Sequence, residues 1–293
     1  MIVTVTLNAA LEVSYAAGRL SWDSVGEVSR ARYLASGRGV AVARVLHKFG
    51  HDVLATGLAG GTSGELIRAD LARTGIAADF TMIGRESRRV FGITEEGTGR
   101  VLRFREPGPY VTTEELGRFA ADYRRLLADA TGIVLCGSLP TGLPPEIYGS
   151  LVSYAAEAGV PVILDAGGEE LRYGARRRPA LVIPGGEGDD GTAAELLALG
   201  PGAVAMLAGG GVRAVTRDGE WAAALTAGAP QDAAMSRGAL VAGLVPGLLL
   251  GWSWPDRLRH ALALASTTGS AGEVNLGAYE QMLSGDQLKV VQL

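Results

Sequence analysis

The chain is 293 residues long, with 47% hydrophobic and 6% aromatic residues, which suits one large α/β unit with a core of aliphatic strands and Ala/Leu-rich helices. Its formal net charge of -4 gives no electropositive footprint, which argues against nucleic acid as a partner. Cys136 is the only cysteine, which excludes an internal disulfide and fits a reducing compartment.

In chain order, residues 2–7 read as a short β-branched strand, and Met1 to Asn8 lacks a basic leader, so no signal peptide is expected. Residues 13–20 and 26–35 are expected to be strands, with a turn at Trp22 to Gly26. Val40 to Phe49 carries apolar residues at helical spacing, closed by Gly50 as a C-cap. Val53 to Gly57 reads as a strand, and Ser63-Gly64-Glu65 opens a helix to Thr74, closed by Gly75. Alternation returns from Arg88 to Phe104, in two segments joined at Glu96-Gly97-Thr98-Gly99, a turn whose glycines accept positive φ. Thr112, followed by Glu114 and Glu115, predicts an N-cap and a helix to about Ala128.

Beyond this point short apolar strands alternate with helices. Strands are expected at 133–136, 160–165, 181–184 and 203–207, and helices at 145–158 and 192–199. A hairpin is expected from 213–216 and 221–225, then closing helices at 239–251 and 255–270. Such alternation implies a mostly parallel sheet covered on both faces, with ligands at the carboxyl ends of its strands. The early alternating segments belong to a separate small β element. The longest apolar run, Ala239 to Trp252, is about 14 residues and contains Pro246. A bilayer needs roughly 20, so a soluble, cytoplasmic protein with no membrane partner is expected. The stretch from Ala233 to Gly243 reads as a loop entering this apolar helix, where free backbone N–H groups and the helix dipole suit an anion. His47, His51 and His260 lack metal-ligand spacing and read as structural.

Five motifs occur in order. They are Thr4-Val5-Thr6-Leu7-Asn8-Ala9-Ala10-Leu11-Glu12, Ser36-Gly37-Arg38-Gly39-Val40-Ala41-Val42-Ala43, Glu106-Pro107-Gly108-Pro109, Gly137-Ser138-Leu139-Pro140-Thr141-Gly142-Leu143-Pro144, and Leu164-Asp165-Ala166-Gly167-Gly168-Glu169. Through them the chain resembles the PfkB (ribokinase-like) carbohydrate kinases, most closely the 1-phosphofructokinase and tagatose-6-phosphate kinase branch. The resemblance runs over nearly the whole chain. It implies an α/β fold, a ribokinase-like, doubly covered, mostly parallel sheet forming a single domain over 1–293, with a small β lid inserted at about 11–36 and 87–106. It further implies a phosphosugar under the lid, ATP and Mg²⁺ if kinase activity is retained, and a homodimer through the lids. The implied substrate positions are Asn8, Glu12, Gly37, Arg38, Gly39, Arg88, Arg103 and Ser138. Arg88, Arg103 and Arg105 near the lid could grip a phosphate bidentately. The nucleotide or anion loop falls on Gly209, Gly210, Gly211, Ser236 and Arg237.

The chain departs from this pattern on both sides of the implied site. Glu12 stands where the family has an Asp for sugar hydroxyls, Arg38 replaces a Lys, and Ala41 replaces an Asn, deleting a donor and an acceptor. A shifted substrate follows. The family's Asn-x-x-Glu, which organises Mg²⁺ through water, aligns with Gly185-Gly186-Glu187-Gly188, and two glycines supply Mg²⁺ no side-chain oxygen. The remaining metal candidates are Glu187 and Asp189, followed by Asp190. The nucleotide loop's Ser-x-Gly becomes Met206-Leu207-Ala208.

The family's Gly-Ala-Gly-Asp aligns with Met235-Ser236-Arg237-Gly238, so the catalytic base position is Gly238, which has no side chain. Loss of a positioned base costs about 10²–10⁴-fold in rate. Arg237 places a long cation where backbone would approach phosphate, either as a solvated arginine or as an anion clamp. Ser236 reads as an N-cap, and Asp165 as a hydrogen-bonded strand-end residue or a catalytic one. Three functions follow. One is a pseudokinase that binds a phosphosugar or similar anion. Another is a repurposed enzyme acting on a sugar-like substrate without ATP, with Glu12 as acid or base. The last is an active ATP-dependent phosphosugar kinase whose base is displaced to Asp165 or Asp232.

Overall fold

Every residue of the first strand, β1 (Ile2–Thr6), is buried, because helices cover both faces of the sheet it belongs to. Ile2 packs into one hydrophobic core, while Val3 and Val5 point into the other. The computed structural model describes residues 1–21, 25–186, 190–208, 210–226, 236–269 and 272–293. After β1 come β2 (Ala10–Ala17), β3 (Val28–Ser36), α1 (Arg38–Lys48), β4 (Val53–Gly60), α2 (Gly61–Arg73) and β5 (Ala77–Ile83). The hairpin β6 (Arg88–Glu95) and β7 (Val101–Arg105) follows, then α3 (Thr113–Leu127), β8 (Gly132–Cys136), α4 (Ile147–Glu157), β9 (Val162–Ala166), α5 (Gly168–Ala175) and β10 (Leu181–Pro184). The chain closes with α6 (Asp190–Ala198), β11 (Ala203–Ala208), β12 (Gly211–Thr216), β13 (Glu220–Leu225), α7 (Arg237–Leu249), α8 (Trp254–Thr267), α9 (Leu276–Ser284) and β14 (Leu288–Gln292).

The main sheet has the order β14-β13-β12-β11-β10-β9-β8-β1-β4-β5, parallel from β11 to β5 and antiparallel from β11 outward to β14. One core lies under α1, α2, α7 and α8, the other under α3 to α6. A second sheet, β3-β2-β6-β7, forms the lid, with β2 and β6 parallel at its centre. Its outer strand β7 is exposed throughout, and β3 is exposed from Val28 to Tyr33. The inner end of β3 is pinned. Asp70 of α2 accepts from the Ala35 N–H at 2.9 Å and from Arg44 of α1, while Arg44 donates to the Ala35 carbonyl at 3.2 Å.

The expected alternation is present, with differences that have local causes. The second strand runs 10–17 rather than 13–20, because Leu11 and Val13 face the core and the pairing with β3 slips at Ala16/Ala17. The helix starting after Thr112 has the full capping box with Glu115. Four elements were not anticipated. β5 and β14 are edge strands with mixed burial, α5 starts without a side-chain cap, and α9 starts at Asn275, whose side chain accepts from the Ala278 N–H. The helix expected from 239 begins at Arg237. Among the described residues, no helix is long and apolar enough to cross a membrane.

His260 of α8 packs edge-on against Phe49, Trp252 and Tyr279, and its Nδ1 lies 2.7 Å from the Tyr279 hydroxyl. Burial, with the charge of His51 second, lowers its pKa to about 4. Between about pH 4 and pH 6.5 the unfolded chain therefore binds more protons than the folded one, so stability rises with pH across that window. Urea midpoints measured from pH 4 to 7 are expected to show this slope, and His260→Phe to flatten it.

Candidate functional site

Parallel strands ending together leave a crevice at their carboxyl ends. Here it becomes a cavity of about 590 Å³ bounded by Thr6 of β1, Cys136 of β8, the starts of α1 and α7, and the inner face of β2, β6 and β7. Gly37 lets α1 begin against the end of β1. It holds φ +132°, and a Cβ there would lie 2.7 Å from Thr6 Cγ2.

The floor is organised by Asp165, which is 0% exposed on β9. Its Oδ1 accepts from Arg38 Nη1 at 2.9 Å, from Arg237 Nε at 2.9 Å and from Arg237 Nη2 at 2.8 Å. Arg237 Nη2 also donates to the carbonyls of Ile183 (3.1 Å) and Pro184. A carboxylate at this depth requires such partners, because an unpaired buried charge is costly. Arg38 and Arg237 are the first residues of α1 and α7. Arg237 is thus not a solvated surface arginine; its side chain is 17% exposed and bonded inward. Cys136 lies beside Asp165 in register, and burial first, then the Asp165 charge, pushes its thiol well up. It is a neutral thiol rather than a nucleophile.

At the head of α7, the Ser236 hydroxyl caps the helix by accepting from the Ala239 N–H. Gly238 follows, and a Cβ there would stand 2.8 Å from Ala41 Cβ. Gly238 and Ala41 therefore meet face to face, and α1 packs closely on α7 through them.

Glu12 is the one carboxylate lining the cavity among the described residues. It accepts from Ser14 at 3.1 Å and from Ser36 at 3.4 Å. Arg88 donates through Nε and Nη2 to the Asn8 carbonyl at 3.3 and 3.2 Å. Burial, then the neighbouring Arg105 charge, holds the Arg88 pKa below its usual value. Arg105 lines the cavity with Arg88, whereas Arg103, expected beside them, lies exposed on β7 opposite Gly92 and does not. Asn8 donates to Ser138 Oγ and the Leu139 carbonyl, at 3.3 and 3.1 Å, leaving its buried Oδ1 without a partner among the described residues.

Other expected positions fall elsewhere. Gly39 packs α1 onto β1 and does not line the cavity. Gly211 is a strand residue paired with Ala208 and Ala224, and Gly210 occupies the preceding turn at φ +75°. Neither reaches the cavity. Gly209, Glu187, Gly188, Asp189 and Asp232 lie outside the described residues. Gly185 and Gly186, described, give a metal no side-chain oxygen, and no three His, Cys, Asp or Glu among the described residues converge to hold one. The convergence of Arg38, Asp165 and Arg237 was missed. Its one sequence signal is an arginine opening each helix, where the dipole disfavours a cation.

Residues 8–184 match the pfkB family carbohydrate kinase model. Among solved structures, the chain superposes on a possible 1-phosphofructokinase from Thermotoga maritima with TM-score 0.86 and 24% identity, covering 100% of this chain and 99% of that one. It also superposes on Escherichia coli phosphofructokinase-2 in complex with fructose-6-phosphate, with TM-score 0.81 and 20% identity, covering 97% and 98%. A carbohydrate kinase from Agrobacterium tumefaciens matches with TM-score 0.76 and 15% identity, covering 99% of each chain. At these identities the likeness establishes the ribokinase-like fold.

Two substitutions test the floor. Asp165→Asn removes the charge that both arginines share and is expected to destabilise the chain by about 3–5 kcal/mol in urea unfolding. Gly238→Ala forces a methyl against Ala41 and is expected to cost about 1–3 kcal/mol, relieved in part by Ala41→Gly in the same measurement.

Proposed function

The chain belongs to the pfkB family of carbohydrate kinases, and from that premise we propose that it binds a sugar phosphate beneath its lid without phosphorylating it. The observation that carries this reading is Gly238. The position that aligns with the family's base has no side chain, and Ala41 occupies the space into which one would grow. Asp165, the nearest alternative, has Oδ1 engaged by two arginines and Oδ2 buried, so it is poorly placed to take a proton from a ligand hydroxyl.

Binding as proposed proceeds through this chain's own groups. Arg88 and Arg105 meet the phosphate from the lid, the charge-assisted geometry favouring a dianion. Glu12, oriented by Ser14 and Ser36, accepts from sugar hydroxyls, and Asn8 supplies an amide at the end of β1. This binding requires neither ATP nor Mg²⁺. The exposed apolar residues of the lid, Val28, Tyr33, Leu102 and Phe104, support a homodimer formed lid to lid.

Calorimetry on the purified chain is expected to give binding heat with fructose 1-phosphate or fructose 6-phosphate, weakened about 10-fold or more by Arg88→Gln. No phosphoryl transfer from Mg·ATP should be detected. Mg·ATP-dependent phosphorylation lost in Asp232→Asn or Asp165→Asn would replace this reading with an active kinase whose base is displaced. Glu12, as the cavity's one described carboxylate, favours a second reading. If the protein consumes a sugar phosphate without nucleotide, and Glu12→Gln abolishes that, it is an enzyme of different chemistry.

A further inference from the structure

We infer that the ligand carries an ammonium as well as a phosphate, an amino sugar phosphate whose nitrogen is held by Glu12. This rests on the sugar-phosphate reading above and adds the functional group that sets its specificity.

The separation of opposite charges within the cavity carries the inference. Val90 of β6 pairs with Glu12 on one side and with Arg105 on the other. Residues paired across a sheet share a face, so the three side chains stand in one row, with the Cα atoms of the two charged residues roughly 10 Å apart. Arg88 lies nearer the root of the lid, opposite Ala10. An arginine is long enough to reach across such a row, yet none pairs with Glu12 among the described residues. Arg88 directs Nε and Nη2 to the Asn8 carbonyl, a neutral acceptor, although a carboxylate lines the same cavity. Arg38 and Arg237 on the floor are turned to Asp165. Arg32 and Arg103, one row further out on β3 and β7, are exposed.

Counted whole, the guanidiniums of Arg38, Arg88, Arg105 and Arg237 stand at this site against the carboxylates of Glu12 and Asp165. A phosphate dianion answers that positive surplus, but it does so at the arginines and leaves Glu12 uncompensated. Glu12 is held by one neutral hydroxyl on each oxygen, Ser14 on Oε1 and Ser36 on Oε2, which orient the carboxylate without neutralising it. Each oxygen keeps acceptor capacity for a ligand. Asn8 adds a second acceptor at the cavity, because its Oδ1 is buried and has no partner among the described residues. A sugar hydroxyl brings one donor and no charge. An ammonium brings three donors and a positive charge, and charge-assisted hydrogen bonds are roughly twice as strong as neutral ones. A cavity of about 590 Å³ accommodates a hexose bearing both groups.

The test titrates the full chain, at about pH 6.5 where the amine is protonated, with glucosamine 6-phosphate and glucose 6-phosphate. These differ only in an ammonium for a hydroxyl, and fructose 1-phosphate and fructose 6-phosphate are titrated beside them. Glucosamine 6-phosphate is expected to bind at least about 10-fold tighter than glucose 6-phosphate. Raising the pH past about 8.5 deprotonates the amine while Glu12 stays ionised, so the ratio of the two affinities should fall toward one. Glu12→Gln should collapse the same ratio at the lower pH, whereas Arg88→Gln should weaken both ligands together. Equal or weaker binding of the amino sugar, a preference unmoved by pH, or binding of the fructose phosphates alone would overturn the ammonium subsite and leave the sugar-phosphate reading standing. Absence of binding by all four would overturn that reading itself. If Glu12→Gln does not fold, the wild-type ratio and its loss at high pH decide the matter.

Discussion

The site depends on the solvation of one carboxylate. Asp165 sits at the end of a buried central strand, where its charge is tolerable only with partners close by. Those partners come from residues 127 and 72 positions away, at the first turns of α1 and α7. The bond set therefore joins three elements that the parallel sheet merely brings near one another. It ties the first turns of both helices to the end of β9 beside the cavity. The close contact of Gly238 with Ala41 completes the same junction from the apolar side. Charge pairing and small-residue packing here specify a single geometry.

That junction separates fold from chemistry. The family match and the superpositions concern a scaffold of strand ends and helix starts, which this chain keeps from β1 to α9. What the scaffold presents at those ends is its own. Arg237 opens α7 and donates through Nε and Nη2 to Asp165 and to two backbone carbonyls of β10. The same backbone framework is compatible with catalysis, with binding alone, or with other chemistry, because function lies in the side chains grafted on it.

The scaffold was legible because its strands are short, apolar and punctuated, and because the capping signals at Thr112 and Ser236 act locally. The elements that escaped are those stabilised from a distance. β5 and β14 lie on sheet edges, where burial is partial and the hydrophobic pattern is diluted. α5 starts at glycine with no capping side chain. At the site, Asn8, Glu12, Gly37, Arg38, Arg88 and Ser138 do reach the cavity, since each sits beside a strand end that the pattern locates. Arg103 does not, because although it shares the face of Arg105 two residues on, it lies further out along β7, opposite Gly92 rather than opposite Val90 at the cavity. The joining of Arg38, Asp165 and Arg237 was invisible, since nothing in a linear pattern reports which helix starts converge.

The pin at Ala35 gives the lid a mechanical division. Both backbone groups of that residue are held by Asp70 and Arg44, so the inner end of β3 is rigidly coupled to α1 and α2. The outer half, from Val28 to Tyr33, carries no such tether and is exposed. Any closing movement is then a flexing of the strands beyond Ala35 rather than a swing about their roots. Any entropy lost in ordering the lid would therefore fall mainly on this outer half, since Asp70 and Arg44 already fix the inner end.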